Sequence, residues 1–139
     1  MTYDASSIAE SVKKAKRVYI IGNGGSGANA EHISNDLQSC GVRAHTLNLA
    51  TLTAWSNDFG YEHAFSKWIS LHGEPGDMLI ALSGSGKSPN ILAAIDSAKR
   101  KGMETILVTD HLRTRDMQQS EEDQIVLGHD VMRLLRDGG

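Results

Sequence analysis

The sequence predicts a three-layer α/β fold, a doubly wound parallel sheet covered by helices on both faces. Short apolar runs alternate with helical patterns along the chain, as in strand–helix–strand units. These runs are apolar at consecutive positions, which is typical of strands buried on both faces. Two of them lead directly into loops rich in glycine or serine. With 139 residues, of which 40% are hydrophobic, the chain is expected to form a single domain, 1–139, with a sizeable core.

The first half of the chain opens with an amphipathic helix. Ile8, Val12 and Ala15 recur at helical spacing, and the lysines near them favour a helix C-terminus. Further on, Asn57 and Asp58 are residue types that favour turns. The predicted elements are helix 4–16, strand 17–21, helix 27–39 with a hydroxyl residue at its N-cap, strand 43–48, a connecting turn or short helix 49–56, and turn 57–61.

The second half repeats the strand–loop–helix order. Pro89 suits the first turn of a helix, and Gly102 suits the position just after a helix end. The predicted elements are helix 61–72, strand 77–82, helix 88–102, strand 105–109 and helix 120–136. Together the two halves give four strands in a flavodoxin-like order, and they leave open a fifth strand after Asp110.

The first loop, residues 22–27, reads Gly-Asn-Gly-Gly-Ser-Gly and is called the glycine loop below. A helix N-terminus has unpaired N–H groups and a partial positive charge, and glycines let a phosphate oxygen approach them closely. The loop lacks the Lys-Ser/Thr ending of a P-loop, and its spacing does not match G-x-G-x-x-G. Taken alone, it fits a phosphate site and tight strand–helix packing equally well.

The second loop, residues 83–88, reads Ser-Gly-Ser-Gly-Lys-Ser and is called the serine loop. Ser83, Ser85 and Ser88 can each donate a hydroxyl proton, and Lys87 adds positive charge. The alternative is that these hydroxyls cap the following helix. Because open α/β sheets bind ligands at the carboxyl ends of their strands, the two loops are expected to share one crevice.

Composition excludes several classes of function. The net charge is −3, and no basic run suggests direct binding of nucleic acid. No apolar run approaches the ~20 residues that span a bilayer, and residues 1–5 lack the pattern of a signal peptide. Cys40 is the single cysteine, which excludes an internal disulfide and suits a reducing compartment. A cytoplasmic location without membrane contact is expected.

Three segments in order, residues 22–32, 56–61 and 83–88, resemble the motifs of the sugar isomerase (SIS) domain of phosphoheptose isomerases. The similarity spans roughly residues 17–110 and resumes near 120–135. It implies conversion of sedoheptulose 7-phosphate into an aldoheptose 7-phosphate. It also implies a homo-oligomer, a dimer or a tetramer, with sites between subunits. The chain departs from the family after Asp110, where it is shorter, and at its N-terminus, where most of a helical extension is missing.

His32 and Asp36 lie at i, i+4 on the helix that follows the glycine loop. The residues alone leave two alternatives, a surface charge pair or a pair that points into the crevice. The resemblance implies that both line the active site and bind zinc. The family has Glu where this chain has Asp36, and the shorter side chain displaces the carboxylate.

By the same resemblance, Glu121 and His129 correspond to a glutamine and a histidine that contact substrate and complete a metal site. Alone, a histidine in the middle of a helix more often occupies an exposed surface or a satisfied core position than a functional site. The implied metal ligands for zinc or another divalent ion are His32, Asp36, Glu121 and His129. Residues 121 and 129 are ~12 Å apart on a straight helix. Glu121 must therefore reach back, or the ligands must come from different chains.

The resulting hypothesis is an aldose–ketose isomerase that acts on a phosphorylated sugar through an enediol. Asp36 is the expected base and His129 the expected acid. The substrate-binding residues, some from the loop chemistry and others implied by the resemblance, are Asn23, Gly24, Gly25, Ser26, Asn57, Asp58, Ser83, Gly84, Ser85, Ser88 and Glu121. The alternative is a non-catalytic SIS module that binds phosphosugars or proteins, as in regulators and a replication-initiator-associating protein.

Overall fold

The computed structural model describes residues 4–109 and 116–138. Within them, four parallel strands form one sheet in the order β2-β1-β3-β4. The strands are β1 (Val18–Gly22), β2 (Ala44–His45), β3 (Met78–Leu82) and β4 (Glu104–Val108). This confirms the predicted α/β class and the flavodoxin-like order. The segment where a fifth strand was left open, residues 110–115, lies outside the described residues.

Six helices cover the two faces of the sheet in the described part of the chain. They are α1 (Ala5–Lys14), α2 (Gly24–Ser39), α3 (Leu49–Phe59), α4 (Tyr61–His72), α5 (Pro89–Arg100) and α6 (Met117–Asp137). Helices α1, α2 and α6 pack on one face, and α3, α4 and α5 pack on the other. None of these helices is long and apolar enough to span a membrane.

The central strands β1 and β3 are buried along their whole length. Because side chains alternate along a strand, Ile20 and Ile80 enter the core beneath α1, α2 and α6, whereas Ile21 and Leu79 enter the core beneath the other three helices. Fully burying one such side chain contributes about 1.5–3 kcal/mol. The apolar runs therefore hold rigidly the two loops that follow them.

Helix α2 begins at Gly24, three residues before the predicted start, and its N-cap is Asn23 rather than the hydroxyl residue Ser26. The chain turns sharply here, since a Cβ on Gly22 would lie 2.5 Å from the carbonyl oxygen of Ser26. Glycine therefore allows the helix to start immediately after the strand. Strand β2 is also shorter than the predicted 43–48.

The turn predicted at 57–61 is wrong. Asn57 and Asp58 lie in the last turn of α3, and the chain breaks only at Gly60, whose φ of +96° ends one helix and begins the next. The last helix also starts earlier than predicted. Its N-cap is Asp116, which accepts from the Gln119 backbone N–H at 2.8 Å.

Candidate active site

The glycine loop and the serine loop lie side by side at the carboxyl end of the sheet. Strands β1 and β3 are neighbours, with Gly22 opposite Leu82 at their ends. Beyond them, the Asn23 and Asn90 side chains exchange two hydrogen bonds, at 3.0 and 2.8 Å. The structure therefore brings together the two loops that the sequence predicted to share a crevice.

The first backbone N–H groups of α2 lie in the glycine loop, beside the serine loop. Among the described residues, Asn23 makes no side-chain cap bond to them, so they add a partial positive charge to the site. Glu121 lies directly above this turn, because a Cβ on Gly25 would collide with its carboxylate. Gly25 thus leaves space for an acidic side chain at a position that attracts anions.

The serine loop is folded by its own hydroxyl groups. Ser83 Oγ accepts from the Gly86 backbone N–H at 3.1 Å and lies 3.4 Å from Ser88 Oγ. Ser85 Oγ accepts from the Lys87 N–H at 3.1 Å. Within the described ranges, Ser88 is the N-cap of α5 but makes no side-chain cap bond. The hydroxyls shape the loop rather than cap α5, and one of the Ser83 and Ser88 hydroxyls donates to the other.

Helix α6 runs along α2 in the same direction and joins the site to it. Gln124 is 3% exposed and donates to Ser26 Oγ at 3.0 Å. Asn29 donates to Gln124 Oε1 at 2.9 Å and to the Glu121 carbonyl at 2.8 Å. Farther along, the helices touch, since a Cβ on Gly128 would lie 2.6 Å from Ile33 Cγ1. This close packing places the next residue, His129, against α2.

His32, Asp36 and His129 form a compact group, called the His–Asp–His cluster below. The two histidine Nε2 atoms are 3.1 Å apart. Asp36 Oδ2 lies 3.2 Å from His32 Nε2 and 3.6 Å from His129 Nε2. The Asp36 side chain is only 16% exposed, and within the described part of the chain its Oδ2 is buried without a hydrogen-bond partner.

These donor atoms fit a divalent metal ion. Zinc binds imidazole nitrogen and carboxylate oxygen at about 2.0–2.2 Å, so ligand atoms around a tetrahedral ion lie roughly 3.3 Å from one another. The three measured separations in the cluster, from 3.1 to 3.6 Å, bracket that value. An unpaired buried carboxylate oxygen is also costly unless a cation or a proton neutralises it.

Glu121 does not join this cluster. Helices α2 and α6 run in the same direction, and Glu121 and His129 are ~12 Å apart along α6. Glu121 therefore lies beside Gly25 at the start of α2, whereas His129 lies beside His32 farther along that helix. Within the described ranges, the three-member group that could hold a metal is His32, Asp36 and His129. The expected reach of Glu121 back to the cluster does not occur in this protomer.

Asn57 and Asp58 are not bonded to the loops in the described part of the chain. Both are exposed at the end of α3, with Asn57 Nδ2 3.5 Å from Asp58 Oδ1, and neither has a hydrogen bond to the glycine or serine loop among the described residues. The nearby contact to the glycine loop comes instead from Tyr61, whose hydroxyl donates to Asn23 Oδ1. The two loops and the His–Asp–His cluster are thus assembled without residues 57 and 58 in one protomer.

Sequence reasoning missed several polar residues of this region, among them Asn29, Tyr61, Asn90 and Gln124. The available signal for Asn90 was its position directly after Pro89, in the first turn of the helix that follows the serine loop. The apolar residues of α6 are not all buried. Val126 and Leu134 are 56% and 40% exposed, while the buried side carries Ser120, Gln124, Gly128 and Val131.

Comparison with known proteins agrees with this architecture. Residues 3–110 match the SIS domain family. A phosphoheptose isomerase from Rhodospirillum rubrum is 42% identical over 113 residues, which are 76% of this chain and 60% of that protein. A phosphoheptose isomerase from Burkholderia pseudomallei is 36% identical, covering 94% of this chain and 78% of that protein.

Among solved structures, the phosphoheptose isomerase from Neisseria gonorrhoeae superimposes with a TM-score of 0.83 at 26% identity. The superposition covers 96% of this chain and 83% of that one. The parallel sheet, the paired loops and the sequence similarity thus agree, and this chain belongs to the SIS domain family, within the group of the phosphoheptose isomerases.

Proposed function

We propose that this protein is an aldose–ketose isomerase that converts sedoheptulose 7-phosphate into an aldoheptose 7-phosphate. The observation that carries the proposal is the placement of two kinds of chemistry on α2. Its first turn lies between two loops suited to a phosphoryl group, and its middle turns carry the His–Asp–His cluster. The names of the relatives favour the same reaction, although the chain spans only 60% of the length of the Rhodospirillum protein.

The serine loop and the glycine loop together bind the phosphoryl group. The hydroxyls of Ser83, Ser85 and Ser88 donate to its oxygens, with Gly84 allowing close approach, and the backbone N–H groups of residues 23–26 complete the shell. The proposal keeps Asn57 and Asp58 as substrate contacts contributed at a subunit interface, because they lie outside the loops of their own protomer.

The reaction moves one proton between two carbon atoms. Asp36 removes the proton from C1 of the ketose, which forms an enediol, and the proton is then returned to C2 to give the aldose. His129 supplies a proton to the developing oxygen and later recovers one, so that the proton count balances. Asp36 is shielded enough for its charge to act strongly, because its side chain is only 16% exposed.

His32, Asp36 and His129 would hold zinc or another divalent ion, which would polarise the substrate carbonyl. A single His129 Nε2 cannot bind a metal and carry a proton at once, because both use the same lone pair. The acid role of His129 and its ligand role are therefore alternatives. Glu121 enters the proposal as a group near the sugar and the phosphate rather than as a metal ligand.

A homo-oligomer is also part of the proposal. Helix α3 has no buried residue in the described protomer, and its apolar Leu49 and Phe59 are 69% and 47% exposed. A dimer or a tetramer that covers this face would bring Asn57 and Asp58 toward a neighbouring site. A cytoplasmic location suits a phosphorylated substrate and a chain with Cys40 as its single cysteine.

The test is to incubate the purified protein with sedoheptulose 7-phosphate, with added zinc or with a chelator, and to follow the aldose product. Turnover that requires zinc assigns His129 to the metal, and turnover that survives the chelator assigns it to proton transfer. An Asp36→Asn variant should lose activity, while Asp130→Asn, which changes an exposed carboxylate paired with Arg133, should keep it. Binding of the sugar phosphate without turnover would favour the non-catalytic SIS module.

A further inference from the structure

Asn23 and Asn90 connect the glycine loop and the beginning of α5 side chain to side chain. Asn23 Nδ2 donates to Asn90 Oδ1 at 3.0 Å, and Asn90 Nδ2 donates back to Asn23 Oδ1 at 2.8 Å. Tyr61, the first residue of α4, donates its hydroxyl proton to the same Asn23 Oδ1. These three side chains and their hydrogen bonds are called the amide link below.

The Ile91 backbone N–H determines which group donates in every hydrogen bond of the amide link. The Ile91 backbone N–H donates to Asn90 Oδ1 at 3.0 Å, and a backbone N–H can only donate. The Asn90 amide must therefore turn its NH₂ toward Asn23, which in turn presents its oxygen and forces Tyr61 to be the donor. Both acceptor positions of each amide oxygen are then in use, so the Asn23 oxygen has none left for a sugar hydroxyl.

Burial restricts the movement of the side chains in the amide link. Asn90 is 2% exposed, and a buried amide is held by its hydrogen bonds because leaving them unmade is costly. Asn23 is at the same time the N-cap of α2. Its side-chain bonds to Asn90 therefore tie the residue that begins α2 to the first turn of α5, which directly follows the serine loop.

We propose that the amide link is a positioning device that holds the glycine loop against the serine loop, so that both bind one phosphoryl group. This inference rests on the proposed function for its ligand. It gives Asn23 a role through its side chain that differs from direct substrate binding, and it makes Tyr61 and Asn90 positioning residues.

Two variants and one control test the amide link. Tyr61→Phe removes the hydroxyl at the first residue of α4. Asn90→Asp keeps the acceptor for the Ile91 N–H but replaces the donor to Asn23 with an oxygen. Tyr19→Phe is the matched control, because the Tyr19 hydroxyl donates at 3.2 Å to the carbonyl of His72, at the opposite end of α4.

The first readout is the Kd for inorganic phosphate, together with KM and kcat for sedoheptulose 7-phosphate. Loss of one hydrogen bond in Tyr61→Phe should raise the phosphate Kd and KM about threefold to fivefold and change kcat less than about twofold. Asn90→Asp should raise both constants about tenfold or more. Tyr19→Phe should change neither. Unchanged phosphate binding in a folded Asn90→Asp protein would overturn the proposal.

A double-mutant cycle separates positioning from direct contact, and it also corrects for the charge that Asn90→Asp introduces. If Tyr61 acts through the amide link, adding Tyr61→Phe to Asn90→Asp should change the phosphate Kd by less than about 1.5-fold. If the Tyr61 hydroxyl touches the ligand itself, the second change should cost the same factor as in the wild-type background. That result would overturn the positioning role.

A third readout does not depend on the reaction. Tyr61→Phe and Asn90→Asp should shift the backbone amide NMR signals of residues 22–26, and Tyr19→Phe should leave them in place. If the wild-type protein neither binds phosphate nor converts the sugar, the isomerase proposal fails and these signals alone decide the amide link. Unshifted signals for residues 22–26 in Tyr61→Phe would overturn it.

Discussion

The first turn of α2 and its middle turns both face α6, but their polar side chains differ in whether they find hydrogen-bond partners within the protein. At the first turn, Ser26, Asn29 and Gln124 bond to one another inside the protein. In the middle of the helix, two imidazoles and the Asp36 carboxylate face each other, with one buried oxygen unpaired in the described chain. The first region is organised by hydrogen bonds within the protein, whereas the second holds a buried carboxylate oxygen and two imidazoles whose spacing suits a metal ion.

The largest expected effect tests whether the two regions work separately. His129→Gln should lower kcat by about 10²–10⁴-fold, because proton transfer or metal binding at this position is lost. The Kd for inorganic phosphate should change less than about twofold, since among the described residues no hydrogen bond of the loops involves this side chain. His72→Gln, an exposed histidine at the end of α4, is the control. A parallel loss of phosphate affinity would show that the regions are coupled.

The second prediction concerns the cation that we propose for the cluster. Zinc at a hundredfold excess over its Kd should raise the free energy of unfolding by about 2.7 kcal/mol, seen as a rise in Tm of about 10 °C. Asp36→Ala should abolish this rise. Glu121→Ala should keep it, because Glu121 lies at the N-terminus of α2 and outside the cluster. If Glu121→Ala also lost the stabilisation by zinc, Glu121 would be a fourth metal ligand, as the resemblance implies.

The third prediction changes the packing between the two regions. Gly128→Ala places a Cβ 2.6 Å from Ile33 Cγ1, so either the Ile33 side chain repacks or α6 moves away from α2. The free energy of unfolding should fall by about 1–3 kcal/mol, measured by thermal or urea denaturation, and zinc affinity should fall with it. Adding Ile33→Ala removes the atom that collides and should recover part of the zinc affinity. No recovery would mean that the packing does not set the cluster.

The smallest expected effect concerns the acidic group above the first turn. Glu121→Gln removes a negative charge from an anion-binding position, and phosphate affinity should rise about threefold to tenfold, roughly 1 kcal/mol, at low salt. Glu122→Gln, the exposed neighbour on α6, should change it much less. The measurement is a phosphate titration at two salt concentrations. An unchanged Kd in Glu121→Gln would mean that its carboxylate does not act on the bound anion.

The sequence predicted the fold well because its signals are local and repeated. Consecutive apolar residues such as Ile20 and Ile21, followed by a glycine turn, leave few alternatives to a parallel strand and its crossover helix. Asn57 and Asp58 wrongly indicated a turn for the same local reason. They favour turns as residue types, but the helix continues through them until Gly60 supplies the positive φ that ends it.

The site was harder to predict, because it depends on how α6 lies along α2. The spacing of apolar residues along α6 did not indicate that Gly128 contacts Ile33. That contact sets which side chains of α6 lie beside the cluster. Once the helices run side by side, His129 meets His32 while Glu121 remains near Gly25. The hydrogen bonds among Asn23, Asn90 and Tyr61 could not be predicted from the sequence either, because they join residues far apart in the chain.

The central claim is that one sugar phosphate spans both regions of α2. The most direct measurement is a crystal structure of Asp36→Asn, which should not turn over its substrate, with bound sedoheptulose 7-phosphate. We expect the phosphate within hydrogen-bond distance of the Ser83, Ser85 and Ser88 hydroxyls, and C1 about 3–3.5 Å from the side chain at position 36. A phosphate bound away from the serine loop, or C1 and C2 remote from the His–Asp–His cluster of every subunit, would contradict it.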